Sequence, residues 1–195
     1  MTAPYEWYPM PHTLDVTCSR CRQRAYFEFA ELVRIKEKKD VQFFKESDQF
    51  EYLLCQDSCG HKWHGALFFP GLHGRTIDTI RNLPAGYAPS DWAHSHYLSN
   101  RSDLPVGSID CGQCGLRQSH HLKWPQDAYY QIEYKRQILW AFHRETGIEL
   151  KEYILSKDRD RAKFQWQYFL LHVPTIFLQH NGRDEIVKKL EKLLR

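Results

Sequence analysis

Long apolar runs are missing from this 195-residue chain. Its most apolar stretch, Phe169 to Leu178, is broken by His172 and Pro174 and falls well short of the roughly 20 residues a bilayer span needs, so no membrane-spanning helix is expected. A strong excess of one charge is missing too. The 27 Lys and Arg stand against 24 Asp and Glu, a formal +3, which excludes adhesion to polyanions through bulk charge and makes any basic patch local. The opening residues Met1 to Pro9 lack the charged start and continuous apolar segment of a secretory signal, and a cytoplasmic location is the expectation. No low-complexity tract, Gly-rich phosphate loop or Gly-x-Ser-x-Gly elbow occurs, so the commoner nucleotide-binding and hydrolase signatures are excluded. The composition, 42% hydrophobic and 26% charged, is that of one or two ordinary globular domains.

What the chain does have is cysteine in pairs. Six cysteines fall as Cys18-x-x-Cys21, Cys55-x-x-x-Cys59 and Cys111-x-x-Cys114. Two thiols held two or three residues apart on a tight turn can point at one tetrahedral ion. A redox CxxC opens a helix after a strand, whereas Cys21 runs into Arg-Gln-Arg-Ala-Tyr-Phe-Glu-Phe, which reads as a strand. Disulfides are disfavoured in a reducing compartment. Metal is therefore the preferred reading.

This spacing resembles the zinc-ribbon superfamily, in which two cysteine knuckles joined by a β-hairpin clamp one structural zinc. The resemblance covers residues 14–68, with a partial second copy at 108–124. It implies a zinc site of Cys18, Cys21, Cys55 and Cys59, with glycines at 60, 112 and 115 where knuckle turns need them. The Cys55/Cys59 knuckle departs by having three intervening residues, so that His61 or His64 could replace Cys55. Cys111 and Cys114 would need histidine to complete a second site, with His120 and His121 downstream or His94 and His96 upstream. A rival arrangement gives one ion to Cys18, Cys21, Cys111 and Cys114 and leaves Cys55, Cys59, His61 and His64 for another. The local pairing is preferred because it closes the shorter loop. One Zn²⁺ is implied, and two if the second copy also binds.

Residues 22–69 alternate apolar and polar side chains, as strands with one buried face do. Pro and Gly then punctuate a connector, with short helices expected around Thr76–Asn82 and Ser90–Leu98. Strands are expected at His121–Trp124, Tyr129–Tyr134 and Gln137–Phe142, the last two forming a hairpin through Lys135-Arg136. Thr146-Gly-Ile-Glu149 has the form of a capping box opening a helix to about Lys157. Phe164–Leu171 is read as helical up to Pro174, and Arg183–Leu194 as an amphipathic helix. The whole is an α+β protein: a zinc-ribbon-like β module (1–70), a connector (71–107), and a zinc-knuckle β-hairpin unit with C-terminal helices (108–195).

The functional expectation is noncatalytic binding of single-stranded or structured DNA or RNA by a zinc-ordered β surface. Arg20, Arg22, Arg24 and Lys62 would contact phosphates, and Trp63 beside a knuckle would stack on bases. Against it, nine cations between Arg20 and Lys62 meet eight anions, the balance of a solvated face. The alternative is a scaffold subunit that docks a protein partner through the C-terminal helix. A third reading rests on Cys111-Gly-Gln-Cys114 followed by His120-His121, which resembles the HNH nucleases, with His121 as general base and His143 a distant metal ligand. That match lacks the loop asparagine and a second cysteine pair downstream. No catalytic residue is assigned.

Overall fold

The computed structural model describes residues 10–57, 59–93 and 105–195. It is an α+β protein. Its chain divides into two compact units that interleave in sequence: one is built from 1–26, 111–115 and 123–195, the other from 27–110 and 116–122. The three consecutive segments expected from the sequence are therefore not the compact units, because residues 1–70 and 108–195 each contribute to both.

Among the described residues, nine strands form three sheets. β1 (Thr13–Thr17), β2 (Arg24–Phe29), β6 (Val106–Asp110) and β7 (Arg117–His121) make a four-stranded sheet in the order β1-β2-β6-β7. β3 (Glu31–Arg34), β5 (Lys62–Phe68) and β4 (Glu51–Gln56) make an antiparallel sheet in the order β3-β5-β4. β8 (Tyr130–Tyr134) and β9 (Gln137–Ala141) form a hairpin in which Tyr134 faces Gln137, leaving Lys135-Arg136 as its two-residue turn. This hairpin stands where it was expected. The strand expected at 121–124 lies four residues earlier, as β7.

In the inserted unit, the β3-β5-β4 sheet is packed on both faces. Val33, Phe44, Phe50, Phe68 and Trp92 gather on one side, and Leu32, Cys55, Trp63 and Leu67 on the other. The Trp92 indole N–H donates to the Ala66 carbonyl at 3.2 Å, satisfying the one polar atom that this aromatic cluster buries with the ring. Helix α1 (Val41–Glu46) interrupts the stretch read as alternating strands, and it buries Phe44. The expected helix at Thr76–Asn82 is a single 3-10 turn at Ile77–Thr79, and that at Ser90–Leu98 begins with another at Pro89–Trp92 before passing outside the described residues.

In the split unit, the β8-β9 hairpin meets helices α2 (Arg144–Leu155), α3 (Gln167–Leu170), α4 (Thr175–Leu178) and α5 (His180–Leu193). Trp124, Trp140, Phe142 and Phe169 form the aromatic centre, with ring centroids 5.1–5.9 Å apart. The cap of α2 is His143, whose backbone N–H donates to Thr146 Oγ1 at 3.0 Å, while the Thr146 N–H reaches His143 Nδ1 at 3.4 Å. Thr146 thus closes the capping box from inside rather than opening it, and the helix starts at Arg144. The apolar face of α5, Ile186, Val187 and Leu190, is buried within this unit. β1 is anchored here as well, with Thr17 N–H donating to the Asp127 carbonyl and Asp15 N–H to that of Phe142, both at 2.8 Å. Among the described residues no helix is long and apolar enough to cross a membrane.

Candidate metal centre

Two turns of the same design carry the cysteines of the first and third pairs. Cys18 to Cys21 lie between β1 and β2, and Cys111 to Cys114 between β6 and β7. In each, the residue after the second cysteine donates its N–H back to the carbonyl of the first: Arg22 to Cys18 at 3.0 Å and Gly115 to Cys111 at 2.9 Å. Both donors lie in the left-handed region, at φ 63° and 69°. Glycine adopts that conformation at little cost, but Arg22 must hold it against its own Cβ. Of the three glycines expected to make knuckle turns, Gly60 (φ 86°) and Gly115 use positive φ, whereas Gly112 does not.

These turns bring four sulfurs together. Cys18 Sγ lies 3.6 Å from Cys114 Sγ and Cys21 Sγ 3.5 Å from Cys111 Sγ, and all four fall within 4.8 Å of one another. A tetrahedron of Zn–S bonds about 2.3 Å long has edges of about 3.8 Å, so the spacing suits one ion held by sulfur alone. Cys18 and Cys111 are buried, and Cys21 and Cys114 are partly exposed. No cysteine of the chain is disulfide-bonded. Burial pushes the Cys18 thiol up, but the N–H groups of Cys21 and Arg20 and the thiols of Cys111 and Cys114 outweigh it and bring it down to about 6. At Cys21 the N–H of Gln23 lowers the thiol, yet burial and the three neighbouring sulfurs prevail and push it up to about 12. The opposite signs belong to one cluster: it accepts a first thiolate readily and resists further ones, because like charges would crowd with nothing between them. A divalent cation removes that conflict.

The local pairing preferred from the sequence is therefore corrected to the first half of its rival, while the rival's second set, Cys55, Cys59, His61 and His64, does not come together. Cys55 and Cys59 do not join the cluster. Cys55 is buried in the core beside Trp63 and Leu67, and its Sγ would lie 3.3 Å from a Cβ placed on Gly65. Cys59 is exposed on the β4-β5 turn, which Asp57 organises: its Oδ1 accepts from the N–H groups of Cys59 at 2.9 Å and His61 at 2.8 Å. These bonds hold the Asp57 carboxyl below its usual range, the His61 N–H contributing most. His64 Nδ1 is 2.6 Å from the Tyr52 hydroxyl. A side chain thus shapes this turn where a metal had been expected to.

His120 and His121 are not in the cluster either. His120 is half-buried and edge-on to Phe27, with ring centroids 6.1 Å apart, and His121 is exposed. His94 and His96 lie outside the described residues. Among the described residues, no other group of three or more metal-ligating side chains comes together. The spacing sets the observed pairs apart, although it does not say which pairs share an ion. Only the first and third pairs share two intervening residues, and Cys55/Cys59 is the odd one out.

Of the residues expected to meet nucleic acid, Arg20 and Arg22 are exposed on the first knuckle. Arg24 is half-exposed and lies 3.7 Å from Asp15. Lys62 is exposed on β5. Trp63 is corrected: it is 9% exposed and packed in the core, so it offers no face for stacking. Arg75 and Arg117, which the sequence did not single out, both donate to Asp110 Oδ2, at 2.9 and 3.2 Å. Comparison with known protein families, curated proteins and solved structures returns no match.

Proposed function

We propose that the protein is a noncatalytic binder of single-stranded or structured nucleic acid whose binding surface is ordered by one zinc ion. The four-sulfur cluster carries the reading. Cys18, Cys21, Cys111 and Cys114 would fill a tetrahedral site and leave no position open for water or substrate, which is the pattern of a structural rather than a catalytic ion. Zinc would then hold the first knuckle rigid, and that turn displays Arg20 and Arg22 to solvent. With Trp63 buried, phosphate contact rather than base stacking dominates, so binding is weakly sequence-dependent and falls steeply with salt.

The test is a mobility-shift gel of the zinc-loaded protein with labelled oligonucleotides, run with and without Mg²⁺. The expected result is a salt-sensitive complex with intact probe, weakened by Arg20→Gln with Arg22→Gln. No shift at low salt removes nucleic acid as the ligand and favours the protein-partner reading. For that reading, the C-terminal helix is a poor docking face, since its apolar side packs inside its own unit. Probe degradation that needs Mg²⁺ and is lost on His121→Ala would favour the nuclease instead. His143 already serves as a helix cap, with Nδ1 2.9 Å from Glu145.

A further inference from the structure

The tip of the β8-β9 hairpin breaks a local rule. In a two-residue turn of type I′ between antiparallel strands, both central residues take positive φ, and Asn-Gly is the pair that does so most cheaply. Here the positions are Lys135 (φ 48°) and Arg136 (φ 63°). Two long side chains occupy backbone conformations that disfavour any Cβ, and both are exposed. Among the described residues neither is held in an ion pair. A conformational cost retained beside two unpaired cations, where a cheaper turn is available, points to the charges themselves.

The base of the tip is rigid. Tyr134 is buried, and α5 passes so close at Gly182 that an added Cβ would lie 2.6 Å from Tyr134 Cζ. Lys189 of α5 donates to the Glu133 carbonyl at 2.9 Å and pairs with Glu185 at 2.7 Å. Lys135 Nζ and Lys189 Nζ lie 5.2 and 6.0 Å from the Tyr134 ring centre. An open cleft of about 540 Å³ runs between Glu133, Tyr134, Lys135, Glu185 and Lys189. Lys135 and Lys189 of the cleft stand against Glu133 and Glu185, and the neighbouring Arg136 leaves the tip with one positive charge in excess.

We propose that the Lys135–Arg136 tip is a second phosphate-contacting point for single-stranded nucleic acid, on the split unit and distinct from the Arg20–Arg22 knuckle. It rests on the nucleic-acid reading above. Tyr134 offers no exposed ring, so the contact is to the backbone and is blind to sequence.

The test uses the full zinc-loaded chain and a fluorescein-labelled oligothymidylate, read by anisotropy across a salt series. Lys135→Asn with Arg136→Gly should raise the denaturation midpoint by about 2–4 °C while weakening binding at least about fivefold, with the log–log salt slope reduced by about 1.4 for two lost contacts. Lys135→Gln with Arg136→Gln keeps the costly backbone but removes the charge, and should weaken binding equally with no gain in midpoint. Should either pair leave affinity and slope unchanged while Arg20→Gln with Arg22→Gln lowers both, the tip is only a turn and this inference falls, though the nucleic-acid reading stands. Wild-type protein that ignores the oligonucleotide at low salt overturns both, as does selective capture of polyglutamate in its place.

Discussion

Arg22 and Gly115 hold equivalent places in the two knuckles, and they differ in what they cost. Each donates to the first cysteine's carbonyl from a left-handed backbone. Gly115→Ala should destabilise the protein by about 1–2 kcal/mol, although a Cβ there would touch nothing, because the penalty lies in φ rather than in space. Arg22→Gly should be neutral or stabilising by up to about 1 kcal/mol, since relief of strain outweighs the extra freedom glycine gives the unfolded chain. Chemical denaturation of both variants checks the pair, and like-signed effects would contradict it. The sulfurs carry a pH dependence as well. Cys18, with its folded value near 6 below the ordinary thiol value of 9.0, favours the folded state above 9.0, and that stability is lost as pH falls through 6. Metal binding needs thiolate, so zinc affinity should fall at least about tenfold between pH 7.5 and pH 5.5, read by competition with a chromogenic chelator.

Among the elements, the seam of α5 with β8 shows packing overruling propensity. Gly182 sits in α5, where alanine would ordinarily gain about 1 kcal/mol. Here the added methyl would meet the Tyr134 hydroxyl and ring carbon, and overpacking of this kind costs about 1–3 kcal/mol. Gly182→Ala should therefore lower stability. Tyr134→Phe in the same chain should recover part of the loss, a coupling that a double-mutant cycle of melting temperatures measures. The β8-β9 hairpin and the C-terminal helix were legible because their apolar periods repeat and their neighbours lie close in the chain. Helix α1 was not, since six residues with one buried aromatic, Phe44, give no periodic signal. The α2 cap was misplaced because Thr-x-x-Glu is a plausible box, and only the backbone reveals that His143 and Thr146 make the real one.

For the molecule as a whole, the cysteine cluster ties together chain positions about ninety residues apart, with the inserted unit lying between Cys21 and Cys111. Structural zinc contributes on the order of 10 kcal/mol in small zinc-finger peptides. Chelation, or Cys18→Ser or Cys111→Ser, should expose the knuckles and β1 to amide hydrogen exchange. β3, β4 and β5 should stay protected by the Phe44, Phe50, Phe68 and Trp92 core. Elemental analysis should find one zinc per chain, unchanged in Cys59→Ser and halved or worse in Cys114→Ser. Two zincs per chain, or loss of metal from Cys59→Ser, would contradict the four-sulfur assignment.

Composition and spacing sufficed for the fold class, for free cysteines in place of disulfides, and for narrowing the candidate metal-holding sulfurs to three cysteine pairs. Those properties reside in residue type and in short-range separation, which survive without a folded chain. Which pairs share the ion was a different matter. Loop entropy favours the nearer partner, and the choice of Cys111 and Cys114 over Cys55 and Cys59 came from burial: the core claims Cys55, while Asp57 closes the turn that carries Cys59. The fate of Trp63 was decided in the same way. A tryptophan beside a cysteine reads equally as a stacking platform or as core until what covers its own face of the strand is known, and here Leu32, Cys55 and Leu67 pack against it.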